Sequence, residues 1–411
     1  MRKHQVFASS KTGSRCLYIM NKSFRINNNY SLDEAIKYAH QFGLSLDIFI
    51  MIPEEDNKQA IAFFHEHTTD LKNKLQSFSK HVHWLHRDEV LKSIYEYTQA
   101  IFMDFSYLNE DIAFFHQIRA YAKTKQITLF QVESNVFVPV LEVSQKAEYG
   151  AYTIRPKIHK LLKQYDKQVL LLEKPMVGEM DAINTLKQFL TKLPFYHLRS
   201  DPSFAYTSRL SVYLKFGMIS PVTIYHLLKP VSHPNKDIFL EELIVRRELA
   251  YNYVYYNPQY DKFERMTERW AYMTMHDHAN DQRTYHYTMH DYCHFQTHDP
   301  YFNAAMKQMI YTGYMHGYMR MYWAKQIILW SKTYEEAYHT ILTLNNHYFL
   351  DGFTPNSYAG VAWCLGKHDR AWKDRPIMGK LRYMNANGLK RKFQIDEYVK
   401  QMNEIEREGL R

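Results

Sequence analysis

Hydrophobic positions in the first ~150 residues gather into short runs set between longer stretches of helix-like period. Residues 15–20, 44–52, 101–105 and 127–132 are apolar and of strand length. Ser31 opens one of the intervening helices, with Glu34 in the capping-box position. Strands alternating with helices predict a doubly wound α/β domain built on a parallel sheet. Residues 135–148 carry Pro139 and little helical period, which reads as a linker. From Ile154 onward strand signals are scarce and helical patterns dominate, as in residues 239–251 and 304–330, with prolines at intervals that suit helix boundaries. The pattern therefore predicts an α/β domain over residues 1–134, a linker over 135–160 and an all-α domain over 161–411.

Composition adds limits to this picture. A chain of 411 residues that is 46% hydrophobic is expected to build two domains. A net charge of +9 and a pI near 9.0 favour a polyanionic partner. Cys16, Cys293 and Cys364 lack the spacing of a zinc knuckle or redox pair, which points to a reducing, cytoplasmic setting. The N-terminus has no apolar leader-like stretch, and the longest apolar run, residues 46–52, is too short for a bilayer, so no membrane association is expected. The His-x-His pairs at 65/67, 81/83 and 276/278 are not completed by further ligands, and no metal is expected. No nucleophile triad, Gly-rich dinucleotide fingerprint or P-loop is visible.

The stretch MHGYMRMYWAK (315–325), followed by Trp330, carries the most chemistry. On a helix Arg320, Trp323, Ile327 and Trp330 share one face. Two indoles there suit any core, but a buried arginine needs a carboxylate. LNNHYFLDG (344–352) offers Asp351. These two segments resemble the flavin pocket of the class II cyclobutane-pyrimidine-dimer DNA photolyases. AEYGAYTIRPK (147–157), FLEELIVRREL (239–249) and GKLRYMN (379–385) extend the resemblance, in the family's order, across residues 15–393.

The resemblance implies an N-terminal antenna domain, an all-α domain that binds FAD, and light-driven electron transfer from reduced FAD to a flipped dimer in ultraviolet-damaged DNA. It implies a second, antenna chromophore of deazaflavin or folate type as an option, and a DNA-associated monomer without a protein partner. Arg320 and Asp351 would pair beside the flavin, and Asn345 would face it with an amide able to accept or donate. Thr207, Ser208, Arg209, Leu210 and Ser211 match the loop that holds the diphosphate. Arg209 stands where family members often have glycine. Small hydroxyl residues there are equally good plain N-caps. Glu242 matches the glutamate that bonds the dimer's carbonyl edge, Trp363 the tryptophan that stacks on it, and Met321 a methionine of the same cavity. Arg199, Arg246, Arg391 and Lys392 are candidate phosphate contacts. Trp323 and Trp330 match inner members of the electron-transfer chain.

Three departures stand out. In DPYFNAA (299–305) Phe302 occupies the position of the outer tryptophan, so Tyr301 or Tyr322 is expected to take over its role. Phe195 stands at or beside a flavin-contacting tyrosine, with Tyr196 as the substitute, and Ser200 replaces the usual asparagine. The rivals are a cryptochrome-type light sensor and a DNA-binding relic without flavin. Glu242, Trp363 and the short stretch after Phe393 weigh against the first, and Arg320, Asn345 and Asp351 against the second.

Overall fold

The computed structural model describes residues 1–409. The chain divides into two compact units, one formed by residues 1–148, 152–191 and 208–255, the other by 149–151, 192–207 and 256–411. That division does not follow residues 135–160.

The first unit is built on a six-stranded sheet of β1 (Lys3–Phe7), β2 (Arg15–Met20), β3 (Ser45–Met51), β4 (His81–Leu85), β5 (Thr98–Asp104) and β6 (Thr128–Val132), in the order β1-β6-β5-β2-β3-β4. Strands β2 to β6 run parallel, and β1 is antiparallel to β6. The four apolar runs are the four inner strands. The two edges, KHQVF and HVHWL, were not predicted, because an edge strand is only part-buried and its sequence is correspondingly polar.

Alternation along β2 sends Leu17 and Ile19 into one apolar layer with Phe114, Ile118 and Ala122 of a helix over Asn109–Thr124. On the opposite face the Cys16 thiol donates to the Ala35 carbonyl of α1 (Tyr30–Gln41) at 3.8 Å. Helices thus cover both faces, as a parallel sheet requires. The start of α1 differs from expectation. Asn29 is the N-cap, its side chain accepting from the Leu32 N–H at 3.0 Å. Ser31 lies inside the helix and donates to Asp104 at 2.6 Å, while Glu34 pairs with Lys3 at 2.6 Å. Asp104 also accepts from the Lys22 and Ser23 N–H groups at 2.9 Å, so its carboxylate ties the loop after β2 to the end of β5.

The expected linker is core in its first part. Val136, Phe137 and Val138 are fully buried, and the N–H groups of Phe137 and Val138 both donate to the buried Glu248. Glu248 belongs to a long helical segment of α2 (Asn235–Leu240), a π-helical turn at Glu241–Arg246, and α3 (Arg247–Tyr256). Single π turns in helices are rare and concentrate at functional positions.

The second unit is helical. Its main elements are α4 (Pro300–Thr312), α5 (Gly317–Trp330), α6 (Tyr334–Tyr348), α7 (Pro355–Cys364) and α8 (Ile395–Gly409). The pattern over 304–330 is two helices: Gly313 closes α4 at φ +62°, a left-handed conformation glycine adopts without strain, and His316 caps α5. α5 packs against α4, α6 and α7. No helix among the described residues is long and apolar enough to cross a membrane.

Two buried carboxyls give the first unit a pH dependence. Burial raises Glu248 to about 7 and Glu179, whose Oε2 has no hydrogen-bond partner, to about 8. A raised carboxyl pKa means the folded state holds protons that the unfolded state has released, so the contribution is present below the unfolded value and is lost as pH rises through the folded one. We expect stability in urea to fall between about pH 5 and 8. Glu179→Gln should flatten that slope and gain roughly 1–3 kcal/mol at pH 8. A wild-type slope retained by the variant would remove Glu179 from the account.

Candidate active site in the helical unit

α5 is buried on nearly all sides, with Met319, Tyr322, Trp323, Ala324, Ile327, Ile328 and Trp330 in the core. Its start is fixed from outside the helix. The His316 ring accepts from the Tyr318 N–H at 3.2 Å and bonds the Arg199 carbonyl through Nε2 at 2.8 Å. One turn in, Arg320 reaches the carboxylate of Asp351 with both terminal nitrogens, at 3.0 and 3.2 Å, and donates from Nε to the Met315 carbonyl at 3.0 Å. Its guanidinium lies 3.9 Å from the centre of the Phe349 ring. A forked pair stacked on an aromatic leaves the arginine little rotational freedom. Asp351 is held in turn by α7: its carbonyl accepts from the Thr354 and Ser357 hydroxyls at 3.0 and 3.1 Å, and Thr354 is the N-cap.

Beside this pair α5, α6 and α7 enclose a cavity of about 220 Å³. Arg320, Met321, Trp323, Asn345, Asp351 and Trp363 all line it. The Asn345 amide is oriented by Asn346, to which its Nδ2 donates at 3.0 Å, and Asn346 is itself fixed by the Phe353 N–H at 3.0 Å. Gly317 and Gly360 border free space, since a Cβ at either would meet no atom within 4 Å. The volume is below the ~300–1,000 Å³ of sites that enclose a whole drug-sized ligand. The cavity suits a planar ring with polar edges. An arginine, an amide and a carboxylate together with indoles in one lining fit a flavin ring.

Other expected site residues lie apart from the cavity lining. Glu242 and Arg246 belong to the first unit, on the π turn, where the Arg246 Nε is 3.4 Å from Glu242 and 4.0 Å from Glu241. Thr207 ends one segment of the second unit and its hydroxyl bonds the Tyr314 hydroxyl at 2.9 Å. Ser208, Arg209, Leu210 and Ser211 open a segment of the first. Leu210, not a hydroxyl residue, is the N-cap of the short helix Ser211–Lys215, which no side chain caps. Arg209 has φ +57°, in the left-handed region, which costs a side chain ~1–2 kcal/mol and glycine nothing. Arg199 lies over the buried Tyr196 ring at 4.9 Å, while Phe195 is exposed. Arg391 is exposed, and the Lys392 ammonium sits 5.0 Å from the Tyr318 ring.

Trp323 donates from its indole N–H to the Met306 sulfur at 3.0 Å and borders the cavity, whereas Trp330, two turns on, sits in an aromatic cluster. Its ring centre is 4.9 Å from Phe302, 5.1 Å from Tyr287 and 5.3 Å from His298. The Tyr287 hydroxyl bonds the His298 Nδ1 at 2.7 Å and is part-exposed. The expected tyrosines each donate to a carboxylate, Tyr301 to Asp396 at 2.8 Å and Tyr322 to Asp299; Tyr287 is distinguished from them by its ring contact with Trp330. Sequence reasoning missed Tyr287, which lies 43 residues from Trp330 on a segment without helical period. It also missed a ladder built against Trp363. The Arg382 guanidinium lies 5.0 Å from the Trp363 ring and 4.4 Å from Trp372, Arg370 lies 4.9 Å from Trp372, and Asp369 bonds both Arg382 and Trp372 at 3.3 Å.

Residues 16–176 match the family model described as DNA photolyase. The chain is 38% identical to a deoxyribodipyrimidine photo-lyase of Methanothermobacter thermautotrophicus over 94% of both chains. It is 40% identical to one from Oryza sativa over 66% of this chain and 62% of that one. Among solved structures a Synechocystis cryptochrome superposes with a TM-score of 0.75 at 13% identity, covering 95% of this chain and 89% of that one, a likeness of fold.

Replacing Asp351 by alanine leaves Arg320 without its anion. The side chains are 27% and 17% exposed, between the surface and buried limits, so the expected loss is about 1–3 kcal/mol in denaturant unfolding. Asp351→Asn, which keeps one acceptor, should lose less. Equal stability of Asp351→Ala and the wild type would show that the pair does not hold the wall.

Proposed function

Because the chain belongs to the DNA photolyase family, we propose that it splits cyclobutane pyrimidine dimers in ultraviolet-damaged DNA, using light and FAD, by the class II route. It is a lyase and a flavoprotein. FAD, when bound, supplies the light-excited electron, and the remaining work falls to the chain. The observation that carries the reading is the cavity in which the Arg320–Asp351 fork, the Asn345 amide and the Trp363 indole meet.

Arg320 and Asn345 would hold the ring's polar edge, each already oriented by a partner, so little ordering is required on binding. Thr207, Ser208, Arg209, Leu210 and Ser211 would hold the diphosphate, with the Arg209 cation as an added partner. Trp363 offers a face for the extruded dimer, where stacking is worth ~1–3 kcal/mol per base against a flipping cost of a few. Met321 would line the same space. Glu242 would bond the dimer's carbonyl edge, and Arg199, Arg246, Arg391 and Lys392 would contact phosphates. The net charge of +9 suits that partner. The protein would act as a monomer, DNA-bound in the cytoplasm, with a deazaflavin- or folate-type antenna as an optional second chromophore in the α/β domain.

The test is direct. With an oligonucleotide bearing one cyclobutane dimer, repair is expected under blue light and not in darkness, with binding that weakens as salt rises. Repair of (6-4) lesions alone would overturn the substrate assignment, and absence of flavin absorbance the cofactor.

Phe302 has a separate consequence. A phenyl ring is far harder to oxidise than an indole, so electrons reaching Trp330 are expected to come from Tyr287, whose phenolic proton passes to His298. Tyr287→Phe should slow flavin photoreduction, and Phe302→Trp should quicken it, both without changing repair by chemically reduced enzyme. Unchanged photoreduction in Tyr287→Phe would exclude this exit.

A further inference from the structure

Lys325 lies one residue beyond the cavity-lining Ala324 on α5 and is 1% exposed. An ammonium so buried is costly and is kept only where something holds it. Among the described residues its ammonium donates to the carbonyl of Cys364, at 2.5 Å, in the last turn of α7. That turn leaves orphan carbonyls and the negative end of the helix dipole, the natural seat for a cation. Trp363, the neighbouring residue, lines the cavity, and its own carbonyl is taken by the Gly366 N–H at 3.1 Å. The charged and titratable groups that face Lys325 are Cys364 on α7 and, from the segments beyond it, Asp369 and Arg382, the ion pair that supports the ladder on Trp363.

We propose that Lys325 is a positioning residue for substrate: its ammonium clamps the end of α7 and so holds the Trp363 face where the extruded base must stack. This rests on the reading of Trp363 as the stacking face. Lys325 touches neither the cavity nor the substrate and acts through the helix end. Burial lowers its pKa to about 8, with Arg382 lowering it further and Cys364 and Asp369 opposing. The cation is present below that value and lost as pH rises through it. The clamp therefore releases within the mildly alkaline range, while unfolding behaves in the opposite sense. The unfolded state binds the proton up to about pH 10.4, so the charged lysine burdens the fold and its loss relieves it. A residue kept for packing alone would not separate the two.

The experiment uses the FAD-loaded protein, with Lys325→Met, Lys325→Arg and Trp363→Phe. The fluorescence of Trp363, obtained as the difference between each protein and its Trp363→Phe counterpart, is followed from pH 6 to 9.5. So is the affinity for an oligonucleotide bearing one cyclobutane dimer, at constant ionic strength. In the wild type both should change with a midpoint near pH 8, affinity falling about tenfold. Lys325→Met should be weak and pH-independent in both, with a melting temperature no lower than that of the wild type. Lys325→Arg, whose cation does not titrate in this range, should be pH-independent at the wild type's neutral-pH affinity, and decides the matter if the Met variant does not fold. A fluorescence transition near pH 8 that persists in either variant overturns the proposal, as does a flat wild-type profile. Wild-type protein that binds dimer-bearing and undamaged DNA alike would refute the function proposed above, and the fluorescence titration would still decide the role of Lys325.

Discussion

A helix buried on nearly every side must find a partner for each polar group it buries, and the second unit is organised around how Gly317–Trp330 meets that demand. Arg320 is answered by Asp351, Lys325 by the Cys364 carbonyl and Gln326 by the Met384 carbonyl at 2.9 Å. These partners lie on three separate segments, so one helix fixes the loop after α6, the end of α7 and the loop beyond it. Two of the three attachments border the cavity, through Arg320 and Asp351 and through Cys364.

Legibility in the sequence followed burial. The inner strands announced themselves as apolar runs because both faces of the sheet are covered, while the edges β1 and β4 did not, having one side to solvent. Arg320 and Asp351 could be joined on paper because an interior guanidinium demands an anion and few were available nearby. The break at Gly313 was hidden, since helices lie close on both sides of it. Asn29 displaced Ser31 as cap because Ser31 had a better partner in Asp104, from a strand 73 residues away. Tyr287, Arg382 and Lys325 stayed invisible for a similar reason: their roles depend on neighbours brought close only by the fold.

The resemblance to a family and the geometry carry different parts of the functional account. Identity over 94% of an archaeal relative establishes family membership. It says nothing of the local strain at Arg209, which the positive φ makes visible. Nor does it describe the surroundings of Trp330, where Phe302 packs at 4.9 Å and the nearby Tyr287 hydroxyl bonds His298 Nδ1, the contact on which the proposed tyrosine route rests.

The antiparallel edge strand bears on how the protein is made. β1 precedes its sheet partner β6 by more than a hundred residues of chain, with Lys3 opposite Val132. At ordinary synthesis rates the segment waits roughly ten seconds for that partner, an unpaired strand in a crowded cell. Its sequence, KHQVF, suits the delay, because a lysine, a histidine and a glutamine in five residues discourage pairing with other nascent chains. The polar composition that hid this strand from a search for hydrophobic runs is thus a safeguard during biosynthesis, because β1 is made well before the strand it pairs with.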